Sequence, residues 1–323
     1  MINAMPTNTK TKSLAHTQGW LTQLKRFLSD PKAAIGFGIV MVFILIAVFA
    51  PVLAHASPTS QIFPPSHAPD ARNWFGTTDQ GQDVFSQFVW GTRSSLVTGL
   101  LAGGGATVLA VFIGMMSGYL GGWTDEALQL LVNVFLIIPG LPLMIVLAAY
   151  ITFGGNLPII IVVALTGWAW GARVVLSQVL SMRSLQFVEA ADMAGQSNFK
   201  IVFREILPNM TSLLFANFLF TVVYAILSAA SLQFLGLGNL NQMSWGTMLY
   251  WANNDGAILT GSWWWFVPPG LAIALLGAGL ALINYAIDEA TNPRLKAFRL
   301  GRLATKRRRV IKESGYERDS VSY

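Results

Sequence analysis

Cysteine is absent from this 323-residue chain, and charged residues make up only 11% of it. The first absence excludes disulfide bonds, thiolate metal sites and cysteine nucleophiles. The second excludes an ordinary soluble domain, in which about a quarter of the residues carry charge. Because 54% of the residues are hydrophobic, the composition indicates a membrane protein.

Patterns that would indicate chemistry of the chain's own are also missing. The histidines, His16, His55 and His67, lie far apart without the spacing of metal ligands. No glycine directly precedes a lysine, so the phosphate-binding loop G-x-x-x-x-G-K-[ST] is absent. We therefore expect no catalytic residue, no metal and no bound cofactor, and we do not expect an enzyme. The net charge of +6 comes from segments that flank apolar runs, which argues against a nucleic-acid partner.

Long uncharged runs predict membrane-spanning helices. Residues 33–54 are apolar and long enough to cross a bilayer as a first span. A cleaved signal peptide is the alternative, because Ala54-His55-Ala56 resembles a cleavage site, although the run exceeds a typical signal core. Further spans are expected within residues 94–124, 127–172, 210–236 and 266–287. The run 127–172 is too long for one span, so we expect a helical hairpin there.

Turn and kink signals refine that hairpin. The stretch Phe153-Gly154-Gly155-Asn156-Leu157-Pro158 separates its two arms, and Pro139 and Pro142 should kink the first arm. On the preceding span, Gly114-x-x-x-Gly118 fits the close approach of two membrane helices. Packing inside one bundle and contact between subunits both explain that spacing. Trp251 and the run Trp263-Trp264-Trp265 are expected to form an interfacial aromatic belt, with sugar stacking as the alternative.

The positions of basic residues predict the orientation of the chain. Of the 21 Lys and Arg residues, only Arg72 and Arg93 fall in the segments expected outside. Cytoplasmic segments carry the excess of Lys and Arg, so we predict an all-α, polytopic protein with six transmembrane helices and both termini inside. Its parts are a cytoplasmic N-terminal segment (1–32), a first transmembrane helix (33–54), an extracytoplasmic loop (55–93), a five-helix core (94–290) and a basic cytoplasmic tail (291–323). The cluster Lys306-Arg307-Arg308-Arg309 of that tail is expected to face anionic lipid headgroups.

One polar segment, residues 183–209, interrupts the apolar core. Between Ala127 and Asn254 it holds every charged residue except Arg173. Such a segment must lie in water, on the cytoplasmic side by the charge rule. Ser184 and Ser197 are expected to cap two short helices, Gly195 to end the first helix, and Pro208 to mark the next break.

Within this segment, Glu189-Ala190-Ala191, Gly195 and Ile206-Leu207-Pro208 resemble the EAA loop of ABC-importer permease subunits. In that family, a short coupling helix from the loop sits in a groove of the ATPase subunit. The resemblance implies that the ATPase-coupling residues are Glu189, Ala190, Ala191, Asp192, Gly195, Leu207 and Pro208. This chain has Glu205 where the family usually has isoleucine, and its Ile206 comes one residue later.

Three further segments resemble the peptide-importer branch of the same family. They are Asn73 to Phe85, Ser231 to Gly238 and Ser244 to Leu249. Relatives usually carry Asp and Arg where this chain has Thr78 and Gln82. The resemblance covers residues from about 30 to 295. It implies the type I ABC importer (MetI-like) permease fold, of the second-permease, oligopeptide and dipeptide type.

The resemblance also implies a function and a set of partners. The chain would be a permease subunit in the plasma membrane of a prokaryote, forming half of a translocation pathway for peptides or related solutes. Its partners would be a second permease in a heterodimer, two ATP-binding subunits that bind the ATP, an extracytoplasmic solute-binding protein and the lipid bilayer. An oligosaccharide importer is an alternative. A secondary transporter is a weaker one, since no acidic residue lies in the middle of a predicted span, and a membrane scaffold leaves the EAA-like loop unexplained.

Overall fold

The computed structural model describes residues 30–151 and 154–291. By its internal contacts the chain divides into two units, residues 35–281 and residues 1–34 with 282–323. The predictions for residues 1–29, for Phe153 and for the tail from residue 292, including its basic cluster, lie outside the described residues. Over the described ranges the regular structure is helical, with one isolated antiparallel bridge between Thr77 and Asp83.

The helices begin and end as follows. They are α1 (Pro31–Val48), α2 (Ala50–Leu53), α3 (Val84–Leu120), α4 (Gly122–Ile137), α5 (Gly140–Tyr150), α6 (Leu157–Thr166), α7 (Ala169–Met182), α8 (Gln186–Met193), α9 (Asn198–Lys200), α10 (Leu207–Asn209), α11 (Thr211–Phe234), α12 (Trp245–Asn254) and α13 (Trp263–Thr291). A π-helical turn, Ile201–Ile206, joins α9 to α10.

Four of these helices, α1, α3, α11 and α13, are each long and apolar enough to cross a membrane. Two bent pairs, α4 with α5 and α6 with α7, bring the number to six if each pair is one span. The first pair bends by 94° at the break before Gly140, where Pro139 occupies the N-cap position of α5. The kink predicted at Pro139 is therefore confirmed, because proline cannot donate the hydrogen bond that would continue α4. Pro142, the second predicted site, lies in the first turn of α5, and the helix continues through it.

Two predicted boundaries differ from the structure. α3 begins at Val84, so the last part of the predicted loop 55–93 is helical. The reason is a cap, since Ser86 donates its backbone N–H to Asp83 Oδ2 over 2.8 Å, which satisfies a free donor of the first turn. α1 ends at Val48, and the short α2 follows it to Leu53.

Small residues on α3 set its distance from the neighbouring helices. A Cβ on Gly114 would lie 2.6 Å from the carbonyl oxygen of Ala172, and one on Gly118 would lie 2.9 Å from Val179 Cβ, both on α7. On α11, the Cα of Val222 would be 2.8 Å from a Cβ on Gly103. The Gly114-x-x-x-Gly118 pair therefore packs inside this chain, which decides between the two explanations of its spacing.

The segment between α2 and α3 is folded against the start of α13. Trp264 donates its indole N–H to the carbonyl oxygen of Thr77 over 3.1 Å, and Asn73 Nδ2 donates to Asp83 Oδ1 over 3.0 Å. Trp265 is only 3% exposed, whereas Trp263 is 55% exposed. The predicted aromatic belt is therefore wrong for Trp265, because its ring packs inside the protein.

The second unit is described over residues 30–34 and 282–291. There the ammonium of Lys32 lies 3.9 Å from the centroid of the Tyr285 ring. This distance is typical of a cation–π contact.

Candidate functional site: the polar loop between α7 and α11

The loop that joins α7 to α11 is held on a buried apolar cluster. Val188 and Ala191 of α8 are 2% and 7% exposed, so this face of the helix points into the protein. The cluster comprises Met115, Val175, Val179, Met182, Val188, Ala191, Ile201, Val202, Ile206 and Met210. It therefore joins α8 and the π-helical turn to α3 and α7, and the loop is a firm platform and not a free linker.

The start of α8 differs from the prediction. The helix begins at Gln186 with Leu185 in the N-cap position, and no side chain caps it. Ser184 lies one residue too early to serve as the cap. Because Val188 and Ala191 are one turn apart and both buried, their burial sets the register of the helix. Arg183 donates from Nη1 to the carbonyl oxygen of Gly118 over 3.4 Å, which ties the loop to α3.

Gly195 ends the first helix, as predicted. Its φ is +72°, a left-handed conformation that favours glycine. Gly195 donates its N–H to Asp192 O over 2.8 Å, and Gln196 donates to Ala191 O over 3.2 Å. This pair of bonds is a Schellman motif, which satisfies the last carbonyl groups of α8. No atom lies within 4 Å of the position that a Cβ on Gly195 would take.

The second half of the loop departs from the prediction at Pro208. Ser197 occupies the N-cap position of α9, as expected, although its side chain makes no capping bond. Pro208 does not break the structure, since it lies inside α10, and the helix ends before Met210. The π-helical turn explains this outcome. Leu207 N–H bonds five residues back to Val202 O, which widens the backbone ahead of the proline ring.

The outward face of the loop combines small, acidic and apolar residues. Of the predicted coupling residues, Glu189, Ala190, Asp192, Gly195 and Pro208 are exposed, Leu207 is half-buried and Ala191 is buried. Ala191 thus supports α8 from within. Sequence reasoning missed Met193 and Phe199, which are 83% and 66% exposed. Their apolar character inside a polar segment was the available signal.

Ion pairing does not neutralise the charges of this loop within the described residues. Over the ranges that the structure describes, none of its side-chain charges lies within 4.0 Å of an opposite charge. The same ranges contain no group of three or more His, Asp and Glu residues that could hold a metal ion. The exposed face of the loop therefore combines small, acidic and apolar side chains over a buried apolar support.

Two family models match parts of this chain. Residues 110–297 match the family model described as "Binding-protein-dependent transport system inner membrane component". Residues 20–70 match a second model, "N-terminal TM domain of oligopeptide transport permease C".

Individual relatives align over most of the chain. The dipeptide transport system permease protein DppC of Alkalihalophilus pseudofirmus is 33% identical over 86% of this chain and 91% of its own length. The oligopeptide transport system permease protein OppC of Bacillus subtilis is 32% identical over 86% of this chain and 90% of its own length. The probable D,D-dipeptide transport system permease protein DdpC of Escherichia coli is 32% identical over 79% of this chain and 85% of its own length.

Proposed function

We propose the following function for this chain, which belongs to the family of binding-protein-dependent transport system inner membrane components. It forms half of a translocation pathway for short peptides, and ATP hydrolysis in partner subunits drives the pathway. As a member of this family the chain is a transport permease subunit and not an enzyme, and it is a multi-pass protein of a prokaryotic plasma membrane.

The exposed end of α8 is the observation that carries the proposal. Glu189, Ala190 and Asp192 lie there on a helix whose other face is buried, and Gly195 follows directly after it. Small residues let a second backbone approach closely, and the acidic pair favours a basic groove. Exposed apolar side chains such as Met193 would add contact area. We assign this surface to an ATP-binding subunit, with Leu207 and Pro208 in the supporting turn.

The same cluster suggests how motion would pass into the membrane. α8 shares buried contacts with Met115 of α3 and with Val175 and Val179 of α7. A displacement of α8 on ATP binding would therefore move those two helices with it, because packed interiors transmit displacement. In this proposal the spans rock between inward-open and outward-open states.

The remaining partners follow from the same assignment. They are a second permease in a heterodimer, a second ATP-binding subunit and an extracytoplasmic solute-binding protein. ATP is bound by the partners, so the chain needs no cofactor of its own. Both termini lie in the cytoplasm, which places the loop beside the ATP-binding subunits and agrees with the excess of Lys and Arg there.

Peptides are the solutes that the comparisons favour, since the relatives above are named for dipeptides and oligopeptides. The oligosaccharide alternative drew on Thr78 and Gln82, which stand where relatives usually carry Asp and Arg, and on tryptophans free to stack on a sugar. Trp265 is buried and Trp264 is bonded to Thr77, so these two rings serve the fold.

A matched pair of glycine variants tests the docking surface. Asparagine tolerates the left-handed conformation, so Gly195→Asn keeps the turn and adds a side chain facing outward. We expect about tenfold less ATP-binding subunit to copurify with the chain, because the added side chain blocks close approach. Gly261→Asn is the control, since Gly261 has φ +75° and equally open surroundings on the opposite face in the proposed topology.

The control should retain both copurification and ATP-driven peptide uptake. Equal copurification in both variants would count against docking at Gly195. Membrane insertion is checked in parallel by the yield of monodisperse protein after detergent extraction.

A further inference from the structure

Two neighbouring cavities open near the start of α3. The first, of about 460 Å³, is lined by Trp90, Arg93, Thr98, Asn156 and Gln242 among others. The second, of about 330 Å³, is lined by Gln80, Gln82, Trp251, Asp255 and Trp265 among others. Thr59, Asn241 and Met243 line both cavities, so the two share one uncharged wall.

The first cavity carries a positive charge that has no opposite charge beside it among the described residues. Arg93 has its guanidinium carbon 5.6 Å from the centroid of the Trp90 ring. In the described part of the chain no carboxylate lies within 4.0 Å of it, and no acidic residue lines this cavity. A guanidinium with free N–H groups beside a ring is suited to a planar carboxylate.

Asn156 adds a fixed acceptor to the first cavity. Its Nδ2 donates to Ser94 Oγ over 2.8 Å and to Thr98 Oγ1 over 3.2 Å. These bonds fix the amide plane, and they leave its Oδ1 buried without a hydrogen-bond partner. A buried acceptor without a partner is costly. An N–H group beside the carboxylate of a ligand, as in a peptide, would satisfy it.

The second cavity has the opposite charge. Asp255 lines it; its Oδ1 accepts from Asn254 Nδ2 over 3.2 Å, and its Oδ2 is buried without a hydrogen-bond partner. Asp79 lies beside this carboxyl, and burial together with the negative charge of Asp255 raises the pKa of Asp79. Two carboxyl groups that repel each other gain from a nearby cation. The indole ring of Trp251 on the same wall also favours an ammonium group.

We propose that these two cavities form one binding site for a zwitterionic peptide, with its carboxylate at Arg93 and its ammonium group at Asp255. This inference rests on the proposed function and adds to it a solute site on the permease itself. A neutral sugar would bring no opposite charge to Arg93 or to Asp255, whereas a peptide with free termini brings one to each. The site thus selects for solutes that carry the two charges at opposite ends.

Weak binding of three related peptides tests the site. The probes are trialanine, trialanine amide and N-acetyl-trialanine, titrated by saturation-transfer NMR into the chain purified with the second permease and the ATP-binding subunits, without the solute-binding protein. The amide lacks the carboxylate, and the acetylated peptide lacks the ammonium. We expect trialanine to bind about tenfold more tightly than either analogue, because each analogue loses one charge-assisted hydrogen bond.

Two variants should change these preferences separately. Arg93→Gln should remove the preference for trialanine over its amide and keep the preference over N-acetyl-trialanine. Asp255→Asn should do the reverse, so each variant serves as the control for the other. Arg93→Lys should keep part of the first preference, and Arg72→Gln, at an exposed arginine outside both cavities, should keep all of it.

Several outcomes would overturn the site. They are no binding of trialanine to the wild-type assembly, equal affinity for all three peptides, or an unchanged acid-to-amide ratio in Arg93→Gln. If a variant fails to assemble, the site is tested by the wild-type ratios of the affinity for trialanine to the affinity for each analogue. Equal ATP-driven uptake of trialanine, its amide and its N-acetyl form by the wild type would overturn the site. The proposed permease role would be unaffected. A wild-type assembly that shows no ATP-driven peptide uptake would instead contradict the proposed function.

Discussion

Asp70 and Asp79 lie in the same folded segment, and their surroundings shift the pKa in opposite directions. The backbone N–H of Asn73 donates to Asp70 and lowers its pKa below the ordinary value of 3.8. Burial, and then the negative charge of Asp255, raise the pKa of Asp79 above the same value. Folded Asp79 therefore holds more protons than unfolded Asp79 above pH 3.8, so its contribution to stability falls as the pH rises.

Replacing Asp79 should therefore stabilise the protein at neutral pH. We expect Asp79→Asn to raise the melting temperature of the purified protein by about 2 °C at pH 7.5, with a smaller gain toward pH 4.5. Asp70→Asn should show the opposite sign at pH 7.5, because the ionised carboxylate is the better acceptor for Asn73 N–H. The measurement is thermal unfolding at the two pH values. A gain for Asp79→Asn that is equal at both values would contradict this assignment of the charge.

At the level of the elements, α3 organises the larger unit. Its glycines admit α7 on one side and α11 on the other, with approach distances too short for a Cβ. Membrane helices associate through such close packing, because lipid supplies no hydrophobic driving force between them. The same helix reaches the loop cluster through Met115, so its packing supports the candidate docking surface as well as the span.

Two alanine variants on α3 measure this packing. Gly114→Ala places a Cβ against the carbonyl oxygen of Ala172, whereas Gly104→Ala meets no atom within 4 Å. We expect Gly114→Ala to lower the free energy of unfolding by about 1–3 kcal/mol. Gly104→Ala should have no such cost, since alanine is the better helix former. Equal melting temperatures for the two variants would indicate that α7 does not approach α3 in the membrane.

For the whole molecule, the decisive property is which side of the membrane each loop faces. If each bent pair is one span, three spans separate the segment before α3 from the loop after α7, and the two lie on opposite faces. The docking surface requires the loop after α7 to lie in the cytoplasm. The solute site requires the segment before α3 to lie outside. Both proposals therefore depend on one topology.

The absence of cysteine makes that topology simple to measure. Ser66→Cys and Ser197→Cys each introduce a single thiol at an exposed position. We expect a membrane-impermeant maleimide to label the first in intact cells, and to label the second after the membrane is opened. The cysteine-free chain reports the background. Labelling of both variants in intact cells would reject the arrangement with both ends inside.

Much of this protein could be read from local patterns. A segment in lipid must satisfy its own backbone hydrogen bonds, so an apolar run of sufficient length predicts a helix without knowledge of its neighbours. The kink at Pro139 and the helix end at Gly195 are local for the same reason, since each depends on the backbone of one residue type. The motifs around Glu189 and Asn73 then indicated the family.

Features that depend on distant partners could not be read in this way. Ser184 is no cap because the burial of Val188 and Ala191 against α3 and α7 sets where α8 begins. Pro208 continues a helix because a π-helical turn precedes it. The pairing of a cavity at Arg93 with one at Asp255 exists only once α3 and the end of α12 have come together. Burial and charge proximity are properties of packed contacts, and such contacts join residues that are far apart along the chain.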